Sequence, residues 1–113
     1  MILFASLLAA ATLQPAAGNW QALHGSTDFD PASLVRTAEV TRVTVRIRYP
    51  MSTQSVIVLE IRCARNELRY ARLTETDHRG QVTRDDQGLD AFRTIAPDSR
   101  DAAYRDAFCP ARP

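Results

Sequence analysis

The residues of this 113-residue chain best equipped for covalent or metal chemistry are two cysteines, two histidines and a few clustered aspartates. Cys63 and Cys109 allow one intramolecular pairing, and an even count in an exported domain of this size points to a disulfide. Two separate buried thiols are the alternative. A catalytic cysteine needs a base and an electropositive niche, and the sequence places neither beside them. His24 and His78 lack the i, i+4 spacing of a zinc pair, and His78 falls in a predicted turn. Asp77, Asp85, Asp86 and Asp90 do not follow the register of a calcium loop. Nucleophile-elbow, phosphate-loop and dinucleotide patterns are absent as well. The expectation is therefore a protein without catalytic residues, metal or cofactor.

Charge is a stronger signal. All 14 basic residues are arginines, which GC-rich codon usage explains without any functional demand. Their placement is uneven: residues 36–72 hold eight Arg and three Glu, against a net charge of +1 for the whole chain. Arg42, Arg46 and Arg48 share one parity of an alternating segment, and Arg62 adds to that face from a neighbouring strand. Two readings stand beside each other. In one, the arginines are solvated and paired with Glu39, Glu60 and Glu67. In the other, they form a platform for an acidic protein, a heparin-like glycan or the phosphates of lipopolysaccharide. With so small a net charge, nothing argues for a nucleic-acid partner.

The elements that must position these residues are mostly strands. Val43, Val45, Ile47 and Tyr49 alternate with polar residues up to Pro50, as a sheet solvated on one side requires. Ser55 to Cys63 is a second long strand, its Ile57, Leu59, Ile61 and Cys63 facing one way and Val56 and Val58 the other. Leu68 to Thr76 is a third, with Leu68, Tyr70 and Arg72 opposing Ala71, Leu73 and Glu75. Asp77-His78-Arg79-Gly80 makes a tight turn, Gln81 to Arg84 closes the hairpin, and Asp85 to Gly88 is a polar loop. Before these, residues 19–30 read as two short strands around Gly25-Ser26, with Trp20 marking the buried side. Asp30-Pro31 then starts a single helical turn. At the other end Asp98 or Ser99 caps a helix whose Tyr104, Ala107 and Phe108 form an apolar stripe ending at Cys109. A disulfide would tie that helix to the sheet, and a helix laid across a sheet is one way to cover its apolar face.

The N-terminus reads as a targeting segment. Residues 2–13 are apolar and uncharged, the length of a signal-peptide core, and Ala16-Ala17-Gly18 supplies small residues for cleavage before Asn19. The run is too short to span a bilayer, and Pro15 interrupts it. A buried N-terminal helix is the alternative, because no basic residue precedes the run. No cysteine lies near the cleavage point, so the peptide is not that of a lipoprotein. The expected organisation is a signal peptide at 1–18 and one domain at 19–113, with no transmembrane segment after cleavage.

The order of short motifs resembles the surface-adhesin protein E-like domains. They are Trp20, Gly25-Ser26-Thr27, Phe29-Asp30-Pro31-Ala32-Ser33-Leu34, Val43-Thr44-Val45-Arg46-Ile47, Glu60-Ile61-Arg62-Cys63, Gly80, Ile95-Ala96-Pro97-Asp98-Ser99 and Phe108-Cys109. Each motif is weak alone, and together they run through nearly all of residues 19–113. The resemblance implies an α+β fold: a curved antiparallel sheet of about six strands, with a C-terminal helix disulfide-bonded to its concave face. It also implies an envelope protein of Gram-negative bacteria, periplasmic, secreted or at the cell surface. Most members have no assigned activity, and an adhesin member binds host matrix and serum proteins and dimerises. Two departures stand out: there is no lipidation cysteine, and Phe92 stands where many relatives carry Trp. The expectation is a non-enzymatic binding module presenting a sheet surface to another macromolecule. The alternative is a periplasmic inhibitor or accessory factor of an envelope protein.

Overall fold

The computed structural model describes residues 19–88 and 90–110. The leader read from residues 1–18 lies outside the described residues. Eight strands form one open antiparallel sheet: β1 (Gln21–His24), β2 (Thr27–Phe29), β3 (Val35–Arg36), β4 (Thr41–Arg48), β5 (Gln54–Arg62), β6 (Glu67–Thr76), β7 (Val82–Gln87) and β8 (Arg93–Thr94). The main path runs β1-β2-β4-β5-β6-β7, with β3 paired to β4 and β8 to β6. The eight strands exceed the expected six by these two pieces of two residues each, too short to leave a periodic signal in sequence. Helix α1 (Arg100–Phe108) follows the last strand.

The three long strands in the middle build the core. Val43, Val45 and Ile47 of β4 alternate with solvent-facing residues, as their period of two demands. They stand beside Leu59, Ile57 and Ser55 of β5 in register, so one face of the sheet is a continuous apolar layer. Helix α1 covers it with Ala102, Tyr104 and Phe108, and Ile95 joins from the preceding segment. Burying aliphatic and aromatic side chains of this size contributes roughly 1.5–3 kcal/mol each, so this layer dominates the stability. Phe108 meets Phe29 edge-on, with ring centroids 5.2 Å apart. The covalent tie is the Cys63–Cys109 disulfide, which joins the end of β5 to the last residue of the helix cap.

Local signals act as the sequence suggested at several junctions. Asp30 caps the turn Pro31–Ser33 by accepting the Ala32 amide at 3.0 Å. Ser99, rather than Asp98, caps α1 by accepting the Ala102 amide at 3.1 Å. Asp77 Oδ1 accepts the Arg79 and Gln81 amides and closes the β6–β7 turn, where Gly80 adopts φ +78°.

Four expectations are corrected. In β6 the parity assigned from strict alternation fails, because Val58 pairs with Arg72 while Leu59 pairs with Tyr70. Ala71 is the extra residue of this β-bulge, so Leu68, Tyr70 and Leu73 all pack toward the core and Arg72 faces away. Asp85, Asp86 and Gln87 are not a loop; they extend β7 along β6 because Arg72 and Thr74 both reach the Asp85 carboxylate. The apolar stripe of α1 uses Ala102 in place of Ala107, which is exposed. In β1 an irregularity between Ala22 and His24 turns Leu23 toward the core, and Trp20 does not mark the buried side.

Candidate functional site

Facing away from the core, β4, β5 and β6 present a polar layer. Pairing across the strands fixes its rows: Arg46 beside Val56, Thr44 beside Val58, Arg42 beside Glu60, and Glu60 beside Arg69. Arg62 stands opposite Glu67 in the last row. The structure thus brings together Arg42, Arg46, Arg48 and Arg62 on one face, and adds Arg69.

The electrostatics of the face are organised by carboxylates. Asp28 of β2 is 6% exposed and lies opposite Arg46. Arg46 Nε donates to its Oδ2 at 3.0 Å, and Arg48 Nε donates to the same oxygen at 2.7 Å. Burial pushes the Asp28 carboxyl up, but the hydrogen bonds and charges of Arg46 and Arg48 outweigh it and hold the group below its ordinary value. Glu60 accepts from Arg69 Nε at 2.7 Å and sits 3.8 Å from Arg42. Arg62 reaches Glu67 at 3.3 Å, and Arg72 forms a two-pronged pair with Asp85 at 3.0 and 2.9 Å. The pairs with Glu60 and Glu67 are those the sequence suggested; the strongest anchor, Asp28, was missed because nothing in sequence fixed the register of β2.

Two aromatic rings complete the layer. The Arg46 guanidinium lies 4.6 Å from the centroid of Trp20, and those of Arg62 and Arg69 lie 3.8 and 4.4 Å from Phe92. At such partly exposed sites each contact contributes about 0.5–1 kcal/mol, enough to hold long side chains in place. The face is therefore an ordered array: Arg42, Arg46, Arg48, Arg62 and Arg69 against Asp28, Glu60 and Glu67.

Elsewhere the chemistry is sparse. Among the described residues no three His, Cys, Asp or Glu side chains converge on a point where a metal ion could sit. Both cysteines are consumed by the disulfide. No helix among the described residues is long and apolar enough to cross a membrane. Among the described residues the one buried side-chain nitrogen or oxygen left without a partner is the Tyr104 hydroxyl, whose pKa burial pushes up to about 12.

The fold and face together define an open antiparallel sheet with one disulfide-tied helix and an arginine-rich outer surface. Comparison with protein-family models, with curated proteins and with solved structures finds no match to this chain.

Proposed function

We propose that this chain is a non-enzymatic, exported envelope protein of the surface-adhesin protein E-like kind, whose outer sheet face binds an acidic macromolecule. In this reading the six main strands curve and the helix lies on their concave side, leaving the convex arginine face free. The observation that carries the proposal is the excess of cations on that face: five arginines share three carboxylates, with Trp20 and Phe92 stacked among them. Arg and Trp are the residue types that most often dominate binding energy at protein interfaces. An oxidised Cys63–Cys109 pair suits a periplasmic or extracellular setting.

Arg42 and Arg62 are the appropriate probes of this face. Removing Arg46 or Arg48 would unbalance the buried Asp28, whereas Glu60 keeps Arg69 when Arg42 is removed. The Arg42→Ser, Arg62→Ser double variant should elute from a heparin column at lower salt than the parent, with an unchanged circular dichroism spectrum. Identical elution of the two proteins would count against the face as the binding surface. The Arg→Lys pair at the same positions keeps the charge and should retain most of the affinity.

A further inference from the structure

The intramolecular pairing of the outer face decides which arginines remain available to an anion. Among the described residues, four arginines have no carboxylate within 4.0 Å: Arg36, Arg65, Arg79 and Arg100. Arg79 sits in the β6–β7 turn and Arg100 opens α1, and neither lines the two clefts at the disulfide end. Arg36 and Arg65 are different, because each lines a cleft at the disulfide end of the molecule.

The larger cleft has a volume of about 650 Å³ and runs between the 36–41 segment, the Cys63–Cys109 bridge and the end of α1. That volume lies within the range of small-ligand sites. Arg36 is held at its wall by donating from Nη2 to the Phe108 carbonyl at 2.8 Å. That partner is neutral, so the guanidinium is positioned there without an anion to compensate it. A smaller hollow of about 270 Å³ lies beside the first and is lined by Arg62 and Arg65. The two share Ala38, Glu39 and Ala64 as lining residues. Arg62 belongs to the outer sheet face, so the arginine face continues over the end of the sheet into the clefts.

We propose that these joined clefts are the anchoring site for an extended acidic peptide segment of a partner protein, with Arg36 and Arg65 each receiving a carboxylate. This rests on the reading of the outer face as a surface for an acidic partner and locates where that partner is gripped. Glu39 is what selects a peptide over a sulfated glycan. It lines both hollows and has no arginine within ion-pair distance among the described residues, so a uniformly anionic chain would meet a like charge midway. A peptide can place a backbone amide or a lysine there and its carboxylates on either side. Val40, Ala64 and Pro110 supply apolar wall for its side chains.

The test uses the oxidised protein and two fluorescent probes at low salt: the peptide Gly-Asp-Gly-Lys-Gly-Asp-Gly and a heparin tetrasaccharide. Fluorescence anisotropy should show tighter binding of the peptide. Each exposed charge pair is worth a few-fold in affinity, so Arg36→Ser with Arg65→Ser should weaken the peptide by roughly tenfold. The Lys versions at both positions should restore most of it. Glu39→Gln should shift preference toward the tetrasaccharide. Unchanged peptide affinity in the Ser double variant overturns the proposal, as does tighter binding of the tetrasaccharide by the parent. If Arg42→Ser, at a position that lines neither cleft, abolishes binding while the cleft variant does not, the outer-face reading stands and the cleft falls. If the parent binds neither probe, both fall together.

Discussion

Replacing Asp28 by Asn tests the electrostatic centre of the fold. The substitution keeps the shape of the side chain and removes its charge, leaving Arg46 and Arg48 without their shared anion. Removing one partner of a fully buried ion pair costs about 3–5 kcal/mol. Here the carboxylate side chain is 8% exposed, but Arg46 is 21% and Arg48 48% exposed, so water relieves part of the loss. The expected destabilisation is therefore about 2 kcal/mol, below that range. In a domain of this size that lowers Tm by roughly 8–16 °C. The pH dependence has a definite sign. The folded-state pKa of Asp28 is depressed below the ordinary 3.8, so its contribution is complete above that value and is lost as pH falls through the lower, folded pKa. Urea titrations of the parent and of Asp28→Asn at pH 7 and along a series down to pH 2 measure both effects. The two stability curves should converge toward the acid end. A variant within about 0.5 kcal/mol of the parent at pH 7, typical of an ordinary surface change, would refute the idea that Asp28 clamps the arginine face.

Other outcomes follow from the core and its tie. Cys63→Ser with Cys109→Ser frees a loop with a sequence separation of 46 residues, and chain entropy alone sets the loss at about 4 kcal/mol, measurable by urea unfolding with and without reductant. Tyr104→Phe removes a buried hydroxyl that has no partner among the described residues, so it should leave stability unchanged or raise it by up to about 1 kcal/mol. In the parent, ultraviolet titration should show one phenol ionising near pH 12, well after the ordinary 10. Because that folded pKa is raised, the stability linked to Tyr104 is full below pH 10 and declines between about 10 and 12. Tyr104→Phe should remove that alkaline decline. Loss of stability at neutral pH in the same variant would mean that the hydroxyl is satisfied.

Much of the sheet was legible because β4 obeys a strict period of two and its apolar residues are Val and Ile, which fit a half-buried pleat. The caps were legible for a similar reason: Asp30-Pro31 and Ser99 act through bonds to backbone amides one turn away. The bulge at Ala71 was not, since it arises from how β6 meets β5 and leaves no mark on β6 alone. The same limit applies to the candidate site. Alternation placed Arg42, Arg46 and Arg48 on one face, yet whether each is free depends on partners in other strands. Asp28 lies 18 residues from Arg46, and only the β2–β4 register brings them together. Arg36 and Arg65 carry no distinguishing pattern; they stand out only once the other arginines are seen to be paired.

The account as a whole depends on an oxidised domain released from its leader in the envelope. Intact-mass spectrometry of the protein purified from its native host under thiol-blocking conditions tests this directly. The account predicts a chain beginning at Asn19, with Cys63 and Cys109 joined and neither alkylated. A chain that retains residues 1–18 and takes up the blocking reagent at both cysteines would contradict it.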